Sequence, residues 1–184
     1  MAEEPGVESI EPLDPVDTPA LLSGEEMERQ LKALSSFLRG WLNLTPIPMP
    51  PVPIAYNRFG KPRPASTDTG HWSTPDNHHA FALFRLKERQ ALYVRGRAPA
   101  CIYWSMHLWN PYLQTFDYVN HPAAINCSEV KLQADGSFEL CIAHENPGHP
   151  NWVSTTGKKR GMVYFRFLKS AVTPEALTTE VRRF

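Results

Sequence analysis

Seven histidines are spread over 184 residues, and those with chemical promise fall in three short stretches. In the first, Asp76-Asn77-His78-His79 closes a long loop and opens an apolar run. Pro75-Asp76-Asn77 is turn chemistry, so both imidazoles emerge where the loop enters the next element, with Asp76 placed to orient one of them as a general base. Arg85 comes next, and its guanidinium offers a fork of N–H donors to a carboxylate, an enolate or a carbonyl oxygen. If the run is a strand, alternation puts His79 with Phe81, Leu83 and Arg85 on one face and His78 with Ala82 and Phe84 on the other. At most one of the two histidines then shares a surface with Arg85.

The second stretch runs from Cys101 to Trp109. Ile102, Trp104, Met106 and Leu108 make a core face, whereas Tyr103, Ser105, His107 and Trp109 make a face that is polar and aromatic at once. Such a face is too aromatic to be left in water and too polar to be ordinary core, so it lines a pocket or is covered by another element. The third stretch holds His144, on the same strand face as Phe138, Leu140 and Ile142, just before a turn over 145–150 that contains His149. A metal would need these two drawn together with a third ligand such as His107 or His78, and no strong ligand spacing is present; neither a metal nor a cofactor is expected. Gly-rich phosphate loops and nucleophile elbows are likewise missing. Arg85 and Arg166 lie among large apolar residues, and a buried guanidinium needs a partner: Asp117 or Glu139 within the chain, or a ligand's anionic end.

The elements that position these residues can be read from composition and pattern. With 42% hydrophobic and 11% aromatic residues the chain can build one real core, and 19 basic against 19 acidic residues leave no net charge to draw it to nucleic acid or an anionic membrane. Its apolar runs fall short of the roughly 20 residues of a membrane span. The opening MAEEPGVE lacks the basic and apolar regions of a signal peptide, so a cytoplasmic location is expected. Cys101, Cys127 and Cys141 have no metal-type spacing and are expected as buried free thiols.

Residues 1–20 carry six acidic side chains, no basic one and four prolines, which predicts a flexible arm. Residues 21–56 are read as a helix plus a covering segment. Ser23 and Glu26 form a capping box, and Met27, Leu31, Leu34, Leu38 and Leu42 recur at helical spacing. The proline-rich run 45–53 then has to lie extended, because each proline lacks a donor. Residues 57–184 are read as a β-sandwich: a loop over 57–79, long enough to act as a lid, then strands over 80–86, 91–97, 100–109, 114–120, 124–128, 129–134, 138–144 and 161–168. Asp135-Gly136 is a tight-turn signal. The last strand is apolar on both faces, as a central strand would be. The fold class is mainly β, an antiparallel jelly-roll-like sandwich with one N-terminal amphipathic helix, in a single globular domain overall.

Four motifs in this order, Tyr103-Trp104-Ser105, Ala134-Asp135-Gly136-Ser137, Pro147-Gly148 with Asn151-Trp152, and Arg166, resemble the bacterial family called domain of unknown function 1214. The resemblance covers roughly 76–184. It implies a jelly-roll-like β fold and no particular activity, and it brings Asn151, Trp152 and Arg166 forward as ligand-binding candidates. The family's proline soon after Asn-Trp is absent here. Residues 1–75 stand where a companion domain, of unknown function 1254, often precedes the family, and are expected to share its covering role.

Three functions fit these residues. A cofactor-free enzyme would use His78 or His107 as base and Arg85 as anion clamp. A binding module for an apolar or aromatic small molecule with an anionic or carbonyl end would use Asp76, Tyr103, Ser105, Trp109, His144, Asn151, Trp152 and Arg166 as its lining. A structural module would fill its interior and form homo-oligomers through sheet edges. The first two require a pocket where 76–79 enter the sheet, beside the Tyr103, Ser105, His107 and Trp109 face.

Overall fold

The computed structural model describes residues 21–44, with the backbone alone for 40–44, and residues 55–65, 76–110 and 112–184. The expected arm (1–20), the proline-rich run (45–53) and the middle of the long loop (66–75) lie outside the described residues. The chain divides into two compact units, Met1–Leu42 and Asn43–Phe184.

Helix α1 spans Gly24–Leu44 and makes up most of the described part of the first unit. Ser23 is its N-cap: the Glu26 N–H donates to Ser23 Oγ at 3.1 Å, while the Met27 N–H donates to the Ser23 carbonyl. The Glu26 carboxylate turns to Arg29 and Gln30 rather than back to the cap, so half of the capping box forms. Among the described residues no helix is long and apolar enough to cross a membrane.

The second unit is a β-sandwich with nine strands among the described residues: β1 (Arg63–Pro64), β2 (Asn77–Arg85), β3 (Gln90–Arg97), β4 (Tyr103–Trp109), β5 (Ala124–Asn126), β6 (Ser137–Ala143), β7 (Trp152–Ser154), β8 (Arg160–Leu168) and β9 (Thr178–Arg183). One sheet has the order β1-β2-β8-β4-β5 and the other β7-β6-β3-β9. The turns after β2, β3, β5, β7 and β8 each carry the chain from one sheet to the other, which is the jelly-roll habit. All pairings are antiparallel except β6 with β7.

Period-two patterning builds the core. Ala80, Ala82 and Phe84 of β2, Val163, Phe165 and Phe167 of β8, and Trp104, Met106 and Leu108 of β4 meet Leu92, Val94, Phe138, Leu140 and Ile142 of the facing sheet. Trp104 lies stacked on Phe138 with ring centres 4.9 Å apart. Asn57, in the left-handed region at φ 60°, ties the sheets at one edge. Its side chain exchanges two hydrogen bonds with the Arg85 backbone, and its carbonyl accepts from Thr179 Oγ1.

Several expected strands differ. Residues 114–120 form no strand beyond a single Thr115–Trp109 bridge, because the Asp117 carboxylate accepts the Val119 and Asn120 N–H groups and turns the chain. Residues 129–134 run irregularly, their backbone satisfied by a side chain: Asn151 Oδ1 accepts from the Lys131 N–H and Asn151 Nδ2 donates to the Lys131 carbonyl. The Asp135-Gly136 turn forms, with Gly136 at φ 80°, and so leads into β6 from a non-strand segment. Ile102 is 69% exposed, not core, because β4 begins one residue later. β7 is too short to show a period, and β9, Thr-Thr-Glu-Val-Arg-Arg, is too polar to show one.

Candidate functional site

The five-stranded sheet turns its apolar side inward and leaves a polar and aromatic surface outside. Register assembles that surface in three rows. Arg63, His79, Arg166, Ser105 and Asn126 lie abreast across β1, β2, β8, β4 and β5; next come Phe81, Tyr164, His107 and Ala124; then Leu83, Met162 and Trp109. Central β8 therefore presents Arg166, Tyr164 and Met162 in succession, flanked on one side by His79 and on the other by the expected Ser105, His107 and Trp109 face. Gly161 keeps β8 close to β4 at the Trp109 end, since a Cβ there would stand 2.5 Å from the Trp109 carbonyl oxygen.

The contacts are specific. The Tyr164 hydroxyl and His79 Nδ1 are 2.7 Å apart, and the Tyr164 ring stacks on Trp109 at 4.5 Å and 12°. His107 Nε2 lies 3.0 Å from Oγ of Ser105, a residue only 3% exposed. The Arg166 guanidinium sits 5.9 Å from the centre of the Tyr164 ring, and among the described residues no carboxylate forms an ion pair with it. The Trp109 indole N–H is buried, with no hydrogen-bond partner among the described residues.

Burial lowers the proton affinity of both His79 and His107, and the Arg166 charge lowers each further. His78 adds a smaller push on His79. Burial raises the Tyr164 phenol, with Arg166 acting in the opposite sense. At neutral pH the centre of the surface thus carries one fixed cation, two neutral imidazoles and a protonated phenol. The imidazoles stand on strands separated by β8 and one row apart, about 12 Å in backbone terms, and among the described residues no three His, Cys, Asp or Glu side chains converge as metal ligands.

The remaining expected residues fall elsewhere. His78 faces the sandwich interior, opposite to His107, so the histidine that joins His107 on one surface is His79. Arg85 lies at the far end of β2, six residues or about 20 Å from His79. It is exposed, with its guanidinium 4.2 Å over the Tyr56 ring. Arg166 is exposed too, so neither arginine is the buried guanidinium expected. Asp117 makes its turn, and Glu139 pairs with Arg95 at 2.6 Å and with His149. Asp76 is exposed, and among the described residues it forms no hydrogen bond to either neighbouring imidazole; its carbonyl accepts from the Lys169 N–H. Tyr103 borders the surface beside Leu168. His144, Asn151 and Trp152 belong to the other sheet: His144 Nδ1 contacts Thr155 Oγ1 at 2.5 Å, buried Asn151 satisfies three backbone groups, and the Trp152 indole donates to the Ala143 carbonyl. Tyr164 was readable as an outward position of a central strand, but its place between His79 and Trp109 required the register of three strands.

Residues 82–172 match the model of a family described as "Protein of unknown function (DUF1214)". That segment, from within β2 to just past β8, belongs to the family its motifs resemble. Among solved structures, the chain is similar to an uncharacterized protein from Burkholderia cenocepacia, at a TM-score of 0.72 and 21% identity over 90% of this chain and 46% of that one. It also matches the VPA0106 protein from Vibrio parahaemolyticus, at a TM-score of 0.46 and 16% identity over 90% of this chain and 47% of that one. The Burkholderia likeness shows the fold alone, and the chain spans about half the length of each of these proteins. No curated protein matches.

Proposed function

We propose that the outer face of the five-stranded sheet binds a small organic molecule, holding an anionic or carbonyl end at Arg166 and receiving an apolar or aromatic body on the side chains beyond it. One observation carries this reading: a guanidinium without an ion-pair partner among the described residues stands among hydrogen-bonding side chains, His79, Tyr164, Ser105 and His107. Arg95 and Arg182, on the other sheet, both pair with carboxylates, sharing Glu180. A cation kept unpaired beside two imidazoles whose protonation it opposes is suited to an incoming anion rather than to holding the fold.

A second reading adds proton transfer, favoured by the 2.7 Å contact between Tyr164 and His79. A neutral imidazole coupled to a phenol can pass a proton to or from a carbonyl compound polarised by Arg166. His107, one of the two bases expected from the sequence, stands on the opposite side of β8 and could serve the same ligand. A purely structural module gives no role to the unpaired charge.

The test is native mass spectrometry of the purified chain, then calorimetric titration with a panel of alkyl and aryl carboxylates against the wild type and Arg166→Gln. The wild type is expected to bind members of the panel and the variant to lose at least about tenfold in affinity, the worth of one charge-assisted hydrogen bond. Equal binding by the two would remove Arg166, and with it this reading.

A further inference from the structure

From Arg166 to Met162 the rows on this face step from polar to apolar, before the strands end at Arg85 and Arg160. We infer that the ligand is an open-chain monocarboxylate lying along β8, its head on Arg166 and its chain passing between Phe81 and Tyr164 toward Leu83 and Met162. This ligand class rests on the proposed anion site at Arg166 and adds the nature of the body attached to the anion.

Along the strands the row of His79, Arg166 and Ser105 is wholly polar, the row of Phe81, Tyr164 and His107 is mixed, and the row of Leu83, Met162 and Trp109 is apolar. Four residues separate the first row from the third, which is about 13 Å of extended backbone. Beyond the third row the two strands end at Arg85, whose guanidinium is taken up by Tyr56, and Arg160; between these and Arg166 lies an apolar stretch whose distance from Arg166 suits a medium-length chain and exceeds a single aromatic ring. The rings at its centre already have neighbours: Tyr164 is stacked on Trp109 at 4.5 Å and tilted against His79 at 5.4 Å. Stacking there is satisfied within the protein. The large apolar side chain left open is Phe81, 55% exposed on the flank of the path, with Leu83 and Met162 half-buried beyond it.

The head end has the donors a carboxylate needs. When Tyr164 O–H donates to His79 Nδ1, the neutral ring carries its proton on Nε2, which has no partner among the described residues, and His79 itself pairs with Arg166 in the strand register. The charged and titratable groups around that point are Arg63 on β1, His79 on β2, Tyr164 on β8 and His107 on β4, with uncharged Ser105 and Asn126 completing the row. None of them is an acid that would compete with the ligand for Arg166.

The experiment is calorimetric titration at pH 7 with hexanoate, decanoate, benzoate and decylamine, on the wild type, Arg166→Gln and Phe81→Glu, with circular dichroism confirming that each variant is folded. A fully buried methylene tightens binding about fourfold, so decanoate is expected to bind at least about tenfold more tightly than hexanoate even if only half the added chain is covered. Decylamine should not bind. Arg166→Gln should weaken both alkanoates together, whereas Phe81→Glu, at an exposed position, should bring decanoate down to the level of hexanoate. Hexanoate and decanoate binding alike, or benzoate outbinding decanoate with the same dependence on Arg166, would overturn the open chain while leaving the anion site standing. Indifference of every carboxylate to Arg166→Gln would overturn both.

Discussion

The outer faces of the two sheets use nearly the same residue types to opposite ends. On the four-stranded sheet, Arg95 pairs with Glu139 and Glu180, Arg182 pairs with Glu180 and lies 4.4 Å over the Tyr93 ring, and His149 Nε2 reaches Glu139 while its Nδ1 accepts the Asn151 N–H. Beside this network Ala91, Cys141 and Ala143 form a small second core with Tyr93, Trp152 and Phe184. Burial there pushes the Cys141 thiol up to about 11, so it stays protonated and unreactive at neutral pH. On the five-stranded sheet the arginine, the histidines, the tyrosine and the tryptophan recur without the carboxylates. The charges are paired on one face and Arg166 is unpaired among the described residues on the other, where the anion site is proposed; the difference lies in two glutamates, not in the aromatic or basic residues.

Four measurements put that contrast at risk. Both faces rest on one core, so Trp104→Ala, which empties the space between Phe138 and Phe165, should cost about 3 to 5 kcal/mol and weaken both together. Urea denaturation checks this, and a loss below about 1 kcal/mol would mean that the faces do not share that support. Asn151→Leu should come next, at about 2 to 3 kcal/mol, because it strands the Lys131 N–H, the Lys131 carbonyl and the Glu139 carbonyl at the edge of the paired face.

The third measurement is stability against pH. His79 and His107 bind protons more weakly in the folded chain than at the ordinary 6.5, so the unfolded chain takes up protons first. Stability present above pH 6.5 is therefore lost as the pH falls through 6.5 toward the lower folded values. The paired face behaves differently: Glu180 is held below its ordinary 4.5 chiefly by its hydrogen bond from Arg182, and its contribution disappears only as the pH falls through the carboxylate range. Thermal melts of His107→Asn should show a shallower fall between pH 6.5 and 5 than the wild type, with the same behaviour below pH 4.5. Parallel curves would mean that the imidazoles are not held neutral by their surroundings. The smallest effect is expected for Arg166→Gln on stability, within about 0.5 kcal/mol by thermal melting, since an exposed charge without an ion-pair partner holds little together. Arg95→Gln, which breaks two ion pairs, should cost more, up to about 1 kcal/mol.

Much of this architecture is set by local pattern. The two-sheet sandwich, the N-cap at Ser23, the tight turn at Gly136, the core face of β4 and the central place of β8 can each be read from alternation, capping chemistry or a residue's freedom of φ, because these act over a few neighbouring positions. The strands that escaped reading are those whose partners replace patterning: β1 is two residues of the expected loop paired with β2, β7 is three residues held beside β6, and β9 is a polar edge. Residues 129–134, expected as a strand, are instead satisfied by Asn151 from 20 positions away in the chain. The candidate site shows the same division. Alternation alone put Ser105, His107 and Trp109 on one face and separated His78 from His79. Which histidine crosses β8 to join them, which arginine stands between them, and whether Glu139 answers Arg166 or Arg95 were decided by strand order and register, which bring together side chains far apart in sequence and which no local spacing encodes.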